Sequence, residues 1–382
     1  MKKEFLILFF FFCSIQSFPQ YEFEFSGYAV EFPIYQITNK EIAGLFKFNK
    51  DQFLNLTRLR LRPTLNLWAG SRLAAEYEIA SLYYNGSSLL SILTNVTNRQ
   101  FFGWNWNPVK ENNFLVNHFI DRLYFRQGFD FGNIVVGRQR IAWGTGRIWN
   151  PTDLFNPINP AAFYKTEKDG ADAATATLNF GNFTDLELVY NPQKKFKSEN
   201  YGFRFRTNFF EYDFSVISAY FDKRIIAGGD FAGNFFDAGL RGEGIISADR
   251  NDLSSGFIKF ILGMDYQFTS KLYGLIEYQY NGEGFTDKNK YQLLRLLNGE
   301  ILNLSKNYIF LQSNYQLHPL VMTTLALNSN LNDGSGFVAA SASYNAMENL
   351  YVNLGAQITY GSQFDEYWYY PSSIYISGEF YF

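Results

Sequence analysis

The sequence predicts an all-β fold: a transmembrane antiparallel up-and-down β-barrel of about 18 strands, with 16 as the alternative count. Three observations carry this. Repeated runs of ten to thirteen residues alternate apolar and polar side chains. That length suits the ~9–11 residues a tilted strand needs to cross hydrocarbon, and is about twice that of a common soluble strand. The connections between the runs alternate tight and long. Finally, Ile374, Ile376, Phe380 and Phe382 share one face of the last run, and Phe382 ends the chain.

Composition narrows the class. The chain has 382 residues, 47% of them hydrophobic, yet its mean hydropathy is −0.18. No run after the first twenty residues approaches the ~20 apolar residues of a membrane-spanning helix. Aromatic residues reach 20%, with 42 Phe and 27 Tyr, as lipid-facing bands and interfacial girdles require. A net charge of −3 lacks the basic excess of a nucleic-acid binder, so no nucleic acid is expected as a partner. A secreted soluble β-protein remains the competing class.

Residues 1–20 read as a signal peptide. Lys2 and Lys3 precede the apolar run Phe5–Cys13, which is too short to span a bilayer. Bulky Phe12 before Cys13 argues against a lipoprotein cysteine. Residues 21–382 are expected to form one barrel domain. With Cys13 removed, disulfides and thiolate metal sites are excluded; no metal, cofactor or catalytic residue is expected.

The strands follow in order. The expected spans are 22–32, 52–67, 71–84, 114–130, 133–143, 169–180, 183–192, 199–208 and 211–221 in the first half. In the second half they are 224–231, 235–247, 256–268, 271–282, 306–318, 320–331, 335–345, 349–361 and 372–382. Alternation supports each. Leu73, Tyr77 and Ile79 oppose Arg72, Glu76 and Glu78. Leu186, Leu188 and Tyr190 oppose Asp185 and Glu187. Ile258, Phe260, Leu262 and Met264 oppose Lys259, Asp265 and Gln267. Leu350, Val352, Leu354 and Ile358 oppose Asn353 and Gln357. The connections at 132–133, 181–182, 268–271 and 318–319 are tight, whereas 85–113, 145–168, 284–305 and 361–372 are long. Keeping that alternation requires 224–231 to be a strand of its own, turning at 232–234. Short helical pieces are expected at 85–93 and 289–297.

A barrel this wide leaves room for water inside, so the polar rows become candidate pore-lining residues. The expected inward arginines are Arg58, Arg60, Arg72, Arg122 and Arg126, then Arg138, Arg140, Arg204, Arg206 and Arg241. Candidate lining acids are Glu76, Glu78 and Glu243, and Glu187, Asp213, Asp265 and Glu277 also fall in the expected inward rows. Clustered guanidinium groups bind carboxylates or phosphates, which makes a small anionic solute the candidate cargo; pairing with neighbouring acids is the alternative fate. Asp121 and Gln139 fall on the expected lipid face beside arginine-bearing strands, where a bulge is the natural explanation. The loop 142–168 carries Trp143, Arg147, Trp149 and Asp153 and is stiffened by Pro151, Pro157 and Pro160. Arg147, Trp149 and Asp153 are its candidate constriction residues.

The stretch Gly137–Pro157, GRQRIAWGTGRIWNPTDLFNP, resembles the Gly-Arg-Gln strand and Trp-Gly, Asn-Pro loop of bacterial outer-membrane porin-like barrels. That group includes alginate-export and phosphate-selective porins. Gly137, Arg138, Gln139, Trp143 and Gly144 are the matching positions. The resemblance implies a channel in the bacterial outer membrane passing small hydrophilic solutes. Its partners would be outer-membrane lipid and the barrel insertion machinery, with Phe382 as the insertion signal. It leaves oligomeric state open. Two other classes compete. One is a structural or secretion-accessory barrel with a plugged lumen. The other is an outer-membrane hydrolase, disfavoured because the only histidines are His118 and His318 and no serine nucleophile is marked.

Overall fold

The computed structural model describes residues 21–382 apart from 48, 69, 86–98, 157–166, 195–198 and 298–300. The expected signal peptide, most of the expected helix at 85–93 and part of the loop 142–168 lie outside the described residues.

Nineteen strands form one sheet. They are β1 (Glu22–Ile37), β2 (Asp51–Asn66), β3 (Ser71–Tyr84), β4 (Asn105–Lys110), β5 (Phe114–Phe129), β6 (Gly132–Gln139) and β7 (Ala171–Asn179). There follow β8 (Asp185–Asn191), β9 (Asn200–Phe209), β10 (Tyr212–Phe221), β11 (Arg224–Phe235), β12 (Ala238–Asp249) and β13 (Phe257–Gln267). The last six are β14 (Leu272–Asn281), β15 (Asn307–His318), β16 (Val321–Asn330), β17 (Gly336–Met347), β18 (Leu350–Tyr360) and β19 (Ser372–Tyr381). Helix α1 (Lys40–Phe46) joins β1 to β2, and α2 (Leu293–Leu297) lies between β14 and β15, within the piece expected at 289–297.

Every neighbouring pair is antiparallel, and β1 pairs with both β2 and β19. The sheet is therefore a closed barrel of eighteen strands, with β4 as an extra segment of wall. The start of β1 and the end of β19 lie at one rim. Gly27 and Phe382 exchange backbone hydrogen bonds of 2.8 and 3.0 Å at the seam.

At that rim every connection is short, whereas the opposite rim carries the long ones and a single two-residue turn, Asp222–Lys223. Two-residue hairpin loops need left-handed backbone, and Phe210–Glu211 and Phe236 supply it with φ of 50°, 64° and 53°. The rings of Phe210 and Phe236 are exposed. Phe129, Phe131, Phe180, Phe183, Phe209 and Phe268 join them as an exposed aromatic belt at the short-turn rim, as membrane barrels carry at the lipid interface.

Several boundaries differ from the sequence expectation. β1 continues past residue 32 to Ile37. Pro33 lacks the N–H for the β19 ladder, which skips residues 32 and 33, but the pairing with β2 runs through unbroken. The turn expected at 232–234 sits after Phe235, because Gly233 stays in the strand with the Tyr212 ring packed against the place a Cβ would take. The strand expected to reach residue 143 ends at Gln139, and its place in the wall passes to β4, which lies within the connection expected at 85–113.

That handover defines the fold near the site. β5 pairs with β6 through residues 123–129 and with β4 through 115–119. β4 thus continues the line of β6 on the same edge of β5. Pro108 interrupts its ladder between Trp106 and Val109. Freed from the wall, the chain after Gln139 turns inward.

Candidate functional site: the inward loop and the charged wall

Gln139 begins the departure. Its amide donates 3.1 Å hydrogen bonds to the Val135 and Ala173 carbonyls and accepts one from Thr175, all on the inner side of the sheet. The inner position corrects the expected lipid-facing one. Beyond it, Ile141, Trp143, Leu154 and Phe155 join a buried cluster with Val189, Ile217, Phe221 and Ile245 on the inner faces of β8 to β12. Trp143 donates to Glu187 at 2.6 Å. Its ring lies where a Cβ on Gly202 would be, so the close approach needs glycine there.

Two wall carboxylates then hold the loop by its backbone. Glu243 on β12 accepts from the N–H groups of Thr145 at 2.6 Å, Gly146 at 3.3 Å and Thr152 at 3.4 Å. Glu277 on β14 accepts from Arg147 at 2.9 Å, Ile148 at 3.2 Å and Trp149 at 2.8 Å. Both carboxylates are buried, Glu277 at 0% exposure. Buried backbone donors need such partners, and an anionic acceptor strengthens each bond. Trp149 ends the crossing against Tyr308 and Phe310 on β15. The loop therefore runs through the barrel interior from β6 to β15.

The candidate loop residues divide. Trp149 and Asp153 are buried, while the Arg147 side chain is exposed. Asp153 pairs with Lys168 at 2.5 Å and accepts from the Asn156 N–H. Burial pushes the Asp153 carboxyl up, and Lys168 opposes that. Glu243, a candidate lining residue by its sequence pattern, is an anchor for the loop.

The arginines divide as well. Arg60 reaches Glu76 at 2.7 Å, Glu78 and Glu167 at 3.1 Å each, and Asp121. The carboxylates of Glu76, Asp121 and Glu167 converge closely, but the Arg60 guanidinium fills the space between them, so this is an ion-pair knot. Asp121 turns inward because a bulge there opposes two residues of β5 to one of β3, which corrects its expected lipid-facing position. Arg58 pairs with Glu78, Arg122 with Glu76, Arg204 with Glu187, Arg206 with Asp185 and Arg241 with Asp265. Arg126 and Arg140 are exposed, and like Arg147 they make no ion pair among the described residues.

Arg138 does not line the interior as expected. It shares the row of Ile134 and Val136, whose side chains are exposed on the outer face, yet it is itself 0% exposed. Its guanidinium sits at the joint between β6 and β4. There it pairs with Asp172 at 2.8 Å and donates to the carbonyls of Ile120 at 2.8 Å and Phe102. Trp104 covers it at 4.7 Å. The segment folding back over the row, residues 99–104, gives a charge in an outward row a dry, fully bonded seat.

His118 points outward too. It is hydrogen-bonded through Nδ1 to the Tyr77 hydroxyl and stacked by Trp106 at 5.3 Å. The nitrogen that a catalytic acid would orient is taken by a phenol.

Glu187 and Glu277, expected as inward acids, serve as loop anchors, and Asn156 and Lys168 are anchors that no sequence pattern marked. Their inward rows were legible for Glu187 and Glu277, but nothing local marks a strand carboxylate as the partner of a distant loop backbone.

No family model matches the sequence, and no curated protein is similar to it. Solved structures share the fold. Acinetobacter baumannii OccAB3 matches with a TM-score of 0.57 at 9% identity, over 94% of this chain and 99% of that one. Pseudomonas aeruginosa OccD3 (OpdP) matches with a TM-score of 0.54 at 8% identity, over 94% and 91%. A variant of the Rhodopseudomonas blastica porin matches at 11% identity with a TM-score of 0.48 over 94% and 100%, too low to carry an argument.

Proposed function

We propose that this chain is a porin-like channel of a bacterial outer membrane, passing small hydrophilic solutes with a preference for anions. The single observation that carries the reading is the loop anchored inside the barrel by Glu243 and Glu277. An eighteen-stranded wall encloses more space than its own side chains fill. A loop tethered by six backbone N–H groups narrows that space to a fixed aperture, as a selective pore requires.

Anion preference follows from which charges are free. Most inner arginines are spent on acids of the same wall. Arg126, Arg140 and Arg147 keep exposed cationic ends, the last of them on the loop itself. An exposed guanidinium at a constriction attracts carboxylates and phosphates and repels cations. The aromatic belt at the short-turn rim and the apolar outer rows supply the lipid contact, and Phe382 at the seam is the proposed insertion signal.

Single-channel recording in planar bilayers tests the proposal. Correctly folded protein is expected to open steadily, with a reversal potential on the anion-selective side in a salt gradient. Arg147→Ala and Arg126→Ala are each expected to move that potential toward cations. Folded protein that never conducts would be a plugged barrel, and the channel reading would fail.

A further inference from the structure

The outer face of this barrel is not uniform. On β7 to β19 the outward rows carry apolar, small or hydroxyl side chains, and away from the strand ends none of the described ones is charged. On β1 to β5 they differ. Register places Glu31 in one outward row with Thr57 and Ser81. Its exposed carboxylate accepts hydrogen bonds from Asn55 and from Thr57, the latter at 2.6 Å. The next row toward the short-turn rim holds Ala29, Leu59, Ile79 and His118. His118 uses one nitrogen on Tyr77 and lies under Trp106, which is 45% exposed.

Polarity is reversed through the wall at the same place. Behind Glu31 and Thr57 the inner face carries Phe32, Ile34, Leu54 and Leu82 as a buried apolar cluster. Around Glu31 the outer face is low. Gly27, Ala29 and Pro33 share its row direction on β1, and Gly378 stands opposite it on β19 with open space where a Cβ would be. A carboxylate set toward acyl chains is costly, and lipid tails offer it no donor.

We infer that this face of β1 to β5 is covered by a second copy of the same chain. Charge complementarity selects that occupant. One patch holds both an acceptor, Glu31, and donors, the second imidazole nitrogen of His118 and the Trp106 indole N–H. Acceptor and donors sit on either side of β2 and β3. A two-fold axis near Leu59 and Ile79 brings Glu31 of each copy to the donors of the other, as an isologous contact demands. Anionic head groups would meet Glu31 with like charge. The inference rests on the membrane reading proposed above.

Cysteine cross-linking in membranes tests it, since the mature chain is expected to have no cysteine of its own. Leu59→Cys, next to the proposed axis, is expected to give a disulfide-linked pair under mild oxidation. Leu325→Cys, on the outer face of β16, is expected to give none. Native mass spectrometry of the wild-type full chain in mild detergent should show two copies. Glu31→Leu should show one copy and still migrate as a folded, heat-modifiable barrel, while Glu31→Gln, which keeps an acceptor, should retain the pair. Equal cross-linking from both cysteines, or a wild-type chain that stays single at every concentration, overturns the inference while leaving the channel reading intact. A chain that carbonate strips from membranes sinks both. If Glu31→Leu does not fold, His118→Phe replaces it, with the same expected loss of the pair.

Discussion

At the scale of single residues, Arg138 and Arg126 make opposite predictions from the same side-chain type. Arg138 is sealed at a wall joint with Asp172. Removing its guanidinium strands a buried carboxylate and frees two backbone carbonyls. Arg138→Ala is therefore expected to cost about 3–5 kcal/mol of stability, read as a lower temperature for loss of heat-modifiable migration. Ion selectivity of the surviving channels should hold. Arg126 is exposed and without an ion pair among the described residues, so Arg126→Ala should leave stability within about 0.5 kcal/mol while moving the reversal potential. If Arg138→Ala changed selectivity and left stability alone, the buried seat described for it would be wrong. The sequence misplaced Arg138 for a definite reason. Counting from Ile134 and Val136 puts it outward, whereas a charged side chain on a barrel strand calls for the wet interior, and the two signals conflict. Parity was right, and the dry seat came from residues 99–104, which no local pattern connects with position 138.

Among the elements, the loop and its two carboxylates are the most informative. Hydrogen bonds to a charged acceptor contribute about 1.5–3 kcal/mol each, and Glu277 gathers three backbone donors. Glu277→Ala is expected to release the segment 147–149, giving larger and noisier single-channel currents than wild type. Unchanged current would show that the loop does not set the aperture. A second inward loop is held differently. Glu366, between β18 and β19, accepts from the Leu304 N–H at 3.0 Å, the Asn330 amide at 3.0 Å and the Tyr308 hydroxyl. Asp333 stands nearby, and Lys288 pairs with neighbouring Asp365 at 2.9 Å. Burial pushes the Glu366 carboxyl up to about 7, and the Asp333 charge adds to the rise. A carboxyl raised on folding adds stability in full below its ordinary value and loses it as pH rises through about 7. Hydrogen exchange at Tyr367 and Trp368, corrected for intrinsic rates, is therefore expected to quicken by roughly 70-fold between pH 5 and pH 8, and Glu366→Gln should flatten the response. Both loops lay beyond sequence reading in the same way. Their length and aromatic content were visible, but their anchors are single side chains on strands far along the chain.

For the molecule as a whole, nearly all of the wall was legible. An inside-outside alternation repeated over eighteen strands leaves little freedom of facing, and the long-short rhythm of connections set their number. The exceptions share a cause. Pro33, the bulge at Asp121 and the early end of β6 are places where a ladder is broken or handed on, and alternation carries no information across a break. The seam is the remaining whole-molecule feature. The ring of Phe382 packs against Gly27, and the glycine leaves no room for a side chain. Gly27→Leu is expected to hinder closure and lower the yield of folded barrel several-fold, measured by heat-modifiable migration after refolding; full yield would place closure elsewhere.

The wall position shared by β6 and β4 is an exclusive one. Residues 115–119 of β5 pair with β4, so that stretch of edge cannot also accept a continuation of β6 beyond Gln139. The occupied edge and the inward course of the next segment are thus two faces of one choice of partner. A change that weakens β4 in its slot would offer residues 140–143 a strand to pair with, and so act on the interior from the outside of the wall.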